Sequence, residues 1–351
     1  MNLFNLDCHI SVIEDLKNIF QNLGHQVTSW SVSGHNWVFN RPAKNVDIVN
    51  QHTWMGLNDK MCDDFYNRYK DELSQYDAFI VTYPPAFAKI YEKFNKPTIV
   101  QVPIRYEVPY HGNPVEWQKM NNFYRNQIDK GLLIPVANSL YDKKYCEHFI
   151  EREFHLIPNI CEYTNMKYHP ENDKFLYYSR LKCGISDDLI VDKSKLGRFT
   201  WSDLSKYKGV IGIPYNCSTM SIFEYYTANI PLFFPSIDFM MELYDHNRGS
   251  VLSEITWNQV FRMNEGSSLS LGKFNDPNRY NDLNTMREWI QYSDFYNVEW
   301  MPHIIYFDSW EDLSLKLRET DLNLVSENMK NFNIVRKQRI YGKWKELLDK
   351  I

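Results

Sequence analysis

Short apolar runs alternate with polar stretches of helix length along the first half of the chain. The earliest run is LFNL, followed by DCHISVIEDLKNIFQNLGHQVTSW. Within it Ile10, Ile13, Leu16, Ile19, Phe20 and Leu23 fall at helical spacing, Gly24 supplies a stop and Val27 opens a strand. This is the pattern of a βαβ unit. Further strands are expected in VDIV (46–49), YDAFIVTY (76–83), KPTIVQVP (96–103), GLLIPVAN (131–138) and FHLIPN (154–159). Helix-length segments such as NDKMCDDFYNRYKDEL, FAKIYEKF and YDKKYCEHFI stand among them. A parallel sheet with helices on both faces, ending near residue 160, accounts for the alternation.

After a linker, EYTNMKYHPEND, the pattern restarts. KFLYYS, DLIV, GVIGIPY and IPLFFPS read as strands, with WSDLSKY before the third and a helix at 219–228 before the last. The expected organisation is a first domain over 1–160, a second over 170–325, and a closing amphipathic helix over 326–351. Met329, Phe332, Ile334, Ile340, Trp344, Leu347 and Leu348 form that helix's apolar stripe, which is placed to return to the first domain. Residues 237–300 mix helix fragments with long polar loops, and no function is assigned to them. The fold class is α/β, two Rossmann-like domains facing a cleft. A length of 351 residues agrees, since one hydrophobic core usually stops growing below that size.

Composition narrows the function classes. Hydrophobic residues make up 44% and aromatic residues 16%, a payload for packed cores rather than disorder. Thirty-nine Lys plus Arg against 44 Asp plus Glu, with neither sign in a block, give no nucleic-acid footprint. The opening MNLFNLDCHISV lacks the build of a secretory signal, and no apolar run is long enough to span a membrane, so a cytoplasmic protein is expected. The six cysteines lack paired spacing and read as free thiols.

Ligands of open α/β sheets bind beyond the carboxyl ends of the strands, which directs attention to four turns. Asp7, Cys8, His9 and Ser11 follow the first strand. The imidazole of His9 suits removal of a proton from a hydroxyl near neutral pH, and a structural hydrogen bond at the helix start is the other reading of it. The second turn, SGHNW (33–37), offers His35 in a loop fit for a polar ring, or a plain surface turn. In YYSRLKCG, Tyr178, Ser179, Arg180 and Lys182 follow a strand, and a guanidinium fork beside an ammonium suits a diphosphate. The fourth, IPYNCSTMSIFE, carries Tyr215, Asn216, Ser218, Thr219, Met220 and Ser221 into a helix whose free N–H groups favour an anion. Glu224 lies too deep in that helix for a capping box with Ser218 or Thr219, and can accept from a diol such as ribose. Asn229 tolerates a left-handed helix end, and Pro231 blocks continuation.

The run EYYTANIPLFF resembles the donor-site helix of GT-B fold glycosyltransferases, the nucleotide-sugar-dependent group with a glutamate on that helix. Glu224 matches the family's ribose-binding glutamate and Pro231 its proline seven residues later, with Asn229 in place of the usual glycine. FLYYSRLKCG is similar to the strand and loop opening the nucleotide-binding domain, where Arg180 and Lys182 resemble a diphosphate-binding pair. FHLIPNICEY and LGHQV resemble parts of the first domain. Many retaining members carry a second acid eight positions before the glutamate. Here that position is Asn216, which leaves the stereochemical outcome open.

The resemblance implies transfer of a sugar from a UDP- or GDP-sugar to the hydroxyl of a glycan or other acceptor. Arg180, Lys182 and the residues from Tyr178 to Ser221 named above would hold the donor, Glu224 its ribose, and His9 would act as the base of an inverting reaction. Ser11, His35, Tyr106 and Glu107 are acceptor-side candidates. No metal and no cofactor beyond the co-substrate are expected, and a homo-oligomer is left open. A nucleotide-sugar epimerase of the same fold and a noncatalytic sugar-binding protein are the alternatives. An NAD-dependent enzyme is disfavoured because no G-x-G-x-x-G follows a strand.

Overall fold

A computed structural model of the chain describes residues 1–39, 46–103, 106–110, 113–186, 188–254 and 281–351. Two compact units divide them, one holding Met1–Asn159 with Ile340–Ile351, the other Ile160–Arg339.

The first unit begins with β1 (Asn2–Asp7), α1 (Ile10–Asn22) and β2 (Gln26–Ser31), followed by α2 (Asp59–Leu73) and β3 (Ala78–Val81). It continues with β4 (Thr98–Val102), α3 (Pro114–Asp129), β5 (Leu133–Ala137), α4 (Leu140–Ile150) and β6 (His155–Leu156). Its strand order is β2-β1-β3-β4-β5-β6, parallel in every pair, with Leu3 opposite both Val27 and Ala78. Continuous apolar strands such as AFIV are required when helices cover both faces of a sheet, and every residue of that strand is buried.

The expected strand at 46–49 does not form. Ile48 stands at φ +74, a left-handed turn that breaks an extended run, although Val46 and Val49 are both buried. The segment satisfies burial without pairing. FAKIYEKF forms part of a 3₁₀ stretch, Pro85–Phe94, ending at left-handed Asn95.

The second unit contains β7 (Phe175–Ser179), β8 (Ile190–Asp192), α5 (Trp201–Leu204), β9 (Val210–Ile213), α6 (Met220–Thr227) and β10 (Leu232–Pro235). Then come α7 (Ile237–His246), α8 (Leu283–Ile290), β11 (Ile305–Phe307), α9 (Trp310–Glu319) and α10 (Leu322–Leu348). Its order is β11-β10-β9-β7-β8, again parallel. Gly212 of β9 leaves room for Phe234 of β10, since a Cβ there would lie 2.7 Å from the Phe234 ring. Most of the polar loop NEGSSLSLGKFNDPNRYNDLNTM, within the stretch given no function, lies outside the described residues.

Helix α10 is divided between the units. In the second unit Arg336 is fully buried, donating to Thr227 Oγ1 (3.1 Å), while Asn333 donates to the Tyr226 carbonyl (2.8 Å). In the first unit Trp344 packs on Phe20 at 5.0 Å between ring centroids, and Asn22 donates to the Tyr341 hydroxyl (2.9 Å). Among the described residues no helix is long and apolar enough to cross a membrane.

Candidate functional site

Most helices of this chain satisfy their first N–H groups with a side chain. Asn58, Asn113, Ser139, Thr200, Ser236, Asp282 and Ser309 each accept such a bond. His9 before α1 and Thr219 before α6 have extended cap backbones and make none. These two helix starts lie at the carboxyl ends of β1 and β9, beside the points where strand order reverses in each sheet. Open α/β sheets take ligands there.

In the second unit, β7 pairs with β9 so that Ser179 lies opposite Ile213 and the residues after both strands meet. Arg180 lies over the Tyr215 ring at 4.1 Å, reaches Ser253 Oγ (3.2 Å) and is ion-paired with Glu254. Tyr178 packs edge-on against Tyr215 at 6.4 Å. Three residues past Tyr215, Ser218 is buried, and both its hydroxyl and that of Thr219 lie buried without a partner. A buried hydroxyl left unpaired costs on the order of 1–3 kcal/mol, and these two stand beside helix N–H groups that no side chain caps. Met220 and Ser221, in the first turn of α6, are half-buried. Asn216 is buried and turned inward, its Oδ1 accepting the Cys217 N–H at 2.7 Å. Lys182 is exposed on the loop beyond. It is not brought to Tyr215 as Arg180 is.

Glu224 is half-buried rather than a solvated mid-helix carboxylate. Its Oε1 accepts from the Tyr163 hydroxyl at 2.6 Å. Desolvation raises its pKa, against the opposing pull of Tyr163, the Lys193 charge and Trp201. Asn229 closes the helix at φ +64, the left-handed state its side chain tolerates.

Lys193, immediately after β8, escaped the sequence reading. Its Nζ donates to the Tyr225 hydroxyl (2.8 Å) and lies 4.6 Å from the Tyr178 ring centroid, 5.2 Å from Phe199 and 5.4 Å from Tyr225. Burial lowers its pKa, while Glu224 opposes that shift. The signal was faint, because the aromatics that surround it stand at 178, 199 and 225 and only the fold assembles them.

In the first unit, Asp7 ends β1 with its carboxyl group wholly buried. Ser31 donates to Oδ1 at 3.3 Å and Oδ2 has no partner. Burial pushes its pKa up to about 7, against weaker support for the charged form from Ser31 and the His9 backbone N–H. Desolvation outweighs these hydrogen bonds. Cys8 is pushed well above the ordinary thiol range by the same burial, with Asp7 adding, and is a thiol rather than a nucleophilic thiolate. His9 is exposed and meets Tyr83 edge-on at 6.2 Å. Although its ring reaches solvent, protein crowds it on its other sides, and this desolvation, with neighbouring His35 adding, holds its pKa below 6.5. His35 is itself exposed, its backbone N–H donating to Ser33 Oγ (3.1 Å), and Ser11 is half-buried in the first turn of α1.

Tyr106 and Glu107 are corrected. Tyr106 is fully buried, donating to Asn121 Oδ1 (2.7 Å) beside Trp117, Tyr124 and Tyr145. Glu107 is also fully buried, accepting from the Tyr145 hydroxyl at 3.0 Å. Both serve the core under α3 and α4, and neither can meet an acceptor. None of the six cysteines is bridged in a disulfide, and among the described residues no cluster of His, Cys, Asp and Glu could hold a metal ion.

No protein-family model matches this chain, and no curated protein does. Solved structures similar to it are glycosyltransferases. The calicheamicin glycosyltransferase CalG4 is 10% identical, with 100% of this chain and 98% of that one covered at a TM-score of 0.43. The glycotransferase of kitacinnamycin is 10% identical over 99% of this chain and 98% of its own, with a TM-score of 0.47. SnogD from Streptomyces nogalater is 10% identical over 99% and 98%, with a TM-score of 0.45.

Proposed function

We propose that the protein transfers a sugar from a nucleotide-sugar to a hydroxyl group of an acceptor. One observation carries this reading: α6 begins uncapped, with the partnerless hydroxyls of Ser218 and Thr219 three and four residues past Tyr215, on which Arg180 stacks. Free N–H groups at a helix start, two hydroxyls and a guanidinium make a receptor for a diphosphate. Met220 and Ser221 supply backbone N–H groups of that first turn, and Tyr178 and Tyr215 wall it. Lys182, exposed on the same loop, adds charge at longer range.

In the reaction the acceptor oxygen bonds to the anomeric carbon while the bond from that carbon to the phosphate oxygen breaks. The electron pair leaves on the diphosphate, whose growing charge the α6 N-terminus and Arg180 stabilise. The acceptor proton passes to His9, whose lowered pKa keeps the imidazole neutral and receptive near pH 7. His35 and Ser11 stand close to His9 for acceptor hydroxyls. Glu224, which also accepts from Tyr163 and Trp201, takes the ribose diol with its remaining lone pairs. The cationic receptor makes a divalent metal unnecessary, and UDP- or GDP-sugars are the expected donors in a cytoplasmic setting.

Calorimetric titration with UDP and GDP tests the reading. Micromolar binding is expected, weakened about tenfold or more in Glu224→Ala with the melting temperature nearly unchanged. Absence of binding for every nucleoside diphosphate would sink it.

A further inference from the structure

Beyond the diphosphate, one cation in the second unit has an arrangement that no role so far uses. Glu224 and Tyr225 lie five and six residues beyond Thr219, about 8 Å along the axis of α6 from the end where the diphosphate would sit. Lys193 is held there by the Tyr225 hydroxyl, its ammonium flanked by the rings of Tyr178, Phe199 and Tyr225. Phe199 is 42% exposed, an aromatic face open to a flat ligand.

An ammonium only donates, so its partner must be an acceptor. The neighbouring Glu224 carboxylate repels a second anionic group, which leaves a neutral acceptor. Flat rings beside a donor suit a heteroaromatic ring bearing a carbonyl. Resting on the donor-site reading above, we infer that Lys193 reads the nucleobase of the donor, selecting bases with an exocyclic oxygen at the pairing edge over those with an amino group there. Uracil and cytosine differ at that edge by this exchange, as do guanine and adenine. An amino group would face the ammonium donor to donor.

Titration of the full chain with UDP, CDP, GDP, ADP and inorganic pyrophosphate tests this. UDP should bind about tenfold or more tightly than CDP, and GDP than ADP, because a hydrogen bond to a charged group is lost in the second of each pair. Lys193→Met fills the aromatic cage without the charge. It should bring UDP and CDP to within about twofold of each other, the residual expected for a lost donor, and leave pyrophosphate binding unchanged. Equal affinity of the wild-type protein for UDP and CDP overturns the inference, with no variant needed. So does a preference that survives in a folded Lys193→Met protein. If pyrophosphate and all four nucleotides fail to bind, the donor-site reading itself falls, and this inference with it. Binding without base preference defeats this inference alone.

Discussion

The starts of α1 and α6 follow the first strand of one parallel sheet and the third strand of the other, and they carry different chemistry. Each follows a strand at a reversal of strand order, and each lacks the side-chain cap found on the other helices described above. Before α1 the chain sets a buried carboxyl group, Asp7, toward which the His9 backbone N–H is directed. Before α6 it sets two hydroxyls with no partner, three and four residues past Tyr215, on whose ring the guanidinium of Arg180 stacks. The first start holds a carboxyl group whose pKa is pushed up to about 7 and an imidazole whose pKa is held below 6.5. The second leaves its first turn without a side-chain cap, beside two hydroxyls that have no partner.

The largest expected effect of breaking this contrast is at His9. His9→Ala should slow sugar transfer roughly a hundred- to ten-thousandfold if the imidazole takes the acceptor proton, with nucleotide affinity unchanged. In the wild-type protein the transfer rate should fall as pH drops through a pKa below 6.5, as the imidazole becomes charged. An unchanged rate in the variant removes His9 from catalysis.

Making the second helix start like the first is the next test. Ser218→Asp places a carboxylate where the diphosphate is expected, and like charges in contact cost several kcal/mol, so UDP affinity should fall by roughly a hundredfold or more. Retained affinity in a folded variant would put the nucleotide elsewhere.

The contrast can also be tested through stability. The folded-state pKa of Asp7 is raised from 3.8 to about 7, so between those values the folded protein binds more protons at this group than the unfolded chain. Its contribution is full below pH 4, declines as pH rises and is lost above 7, by at most about 1.4 kcal/mol per pH unit. Asp7→Asn should therefore gain on the wild type as pH rises through this window, in denaturant melts at pH 4 and pH 8. Parallel curves would mean that Asp7 is charged in the folded protein.

Much of the fold could be read along the chain because parallel strands covered on both faces write themselves as unbroken apolar words. AFIV, TIVQV, VIGI and LFFP are strands in the structure. The same rule misled at VDIV, where two valines reach the core from a turn through left-handed Ile48. Helix α3 went unassigned, because PVEWQKMNNFYRNQID hides its apolar positions among amides and charges. At the site, Arg180 and the Ser218–Thr219 pair could be located from their places after strands. Tyr106 and Glu107 occupy a similar place after β4, yet they turn inward, and no spacing rule distinguishes the two outcomes. Lys193 was out of reach for another reason, since its surroundings come from three distant segments.

The ring of Phe234 standing where Gly212 has no side chain has a consequence for how this sequence can drift. The two positions share one volume, so neither is free to vary alone. A descendant that gains a methyl group at 212 must first have lost bulk at 234, and the passage between the two pairs runs through a hole in the layer between β9 and β10.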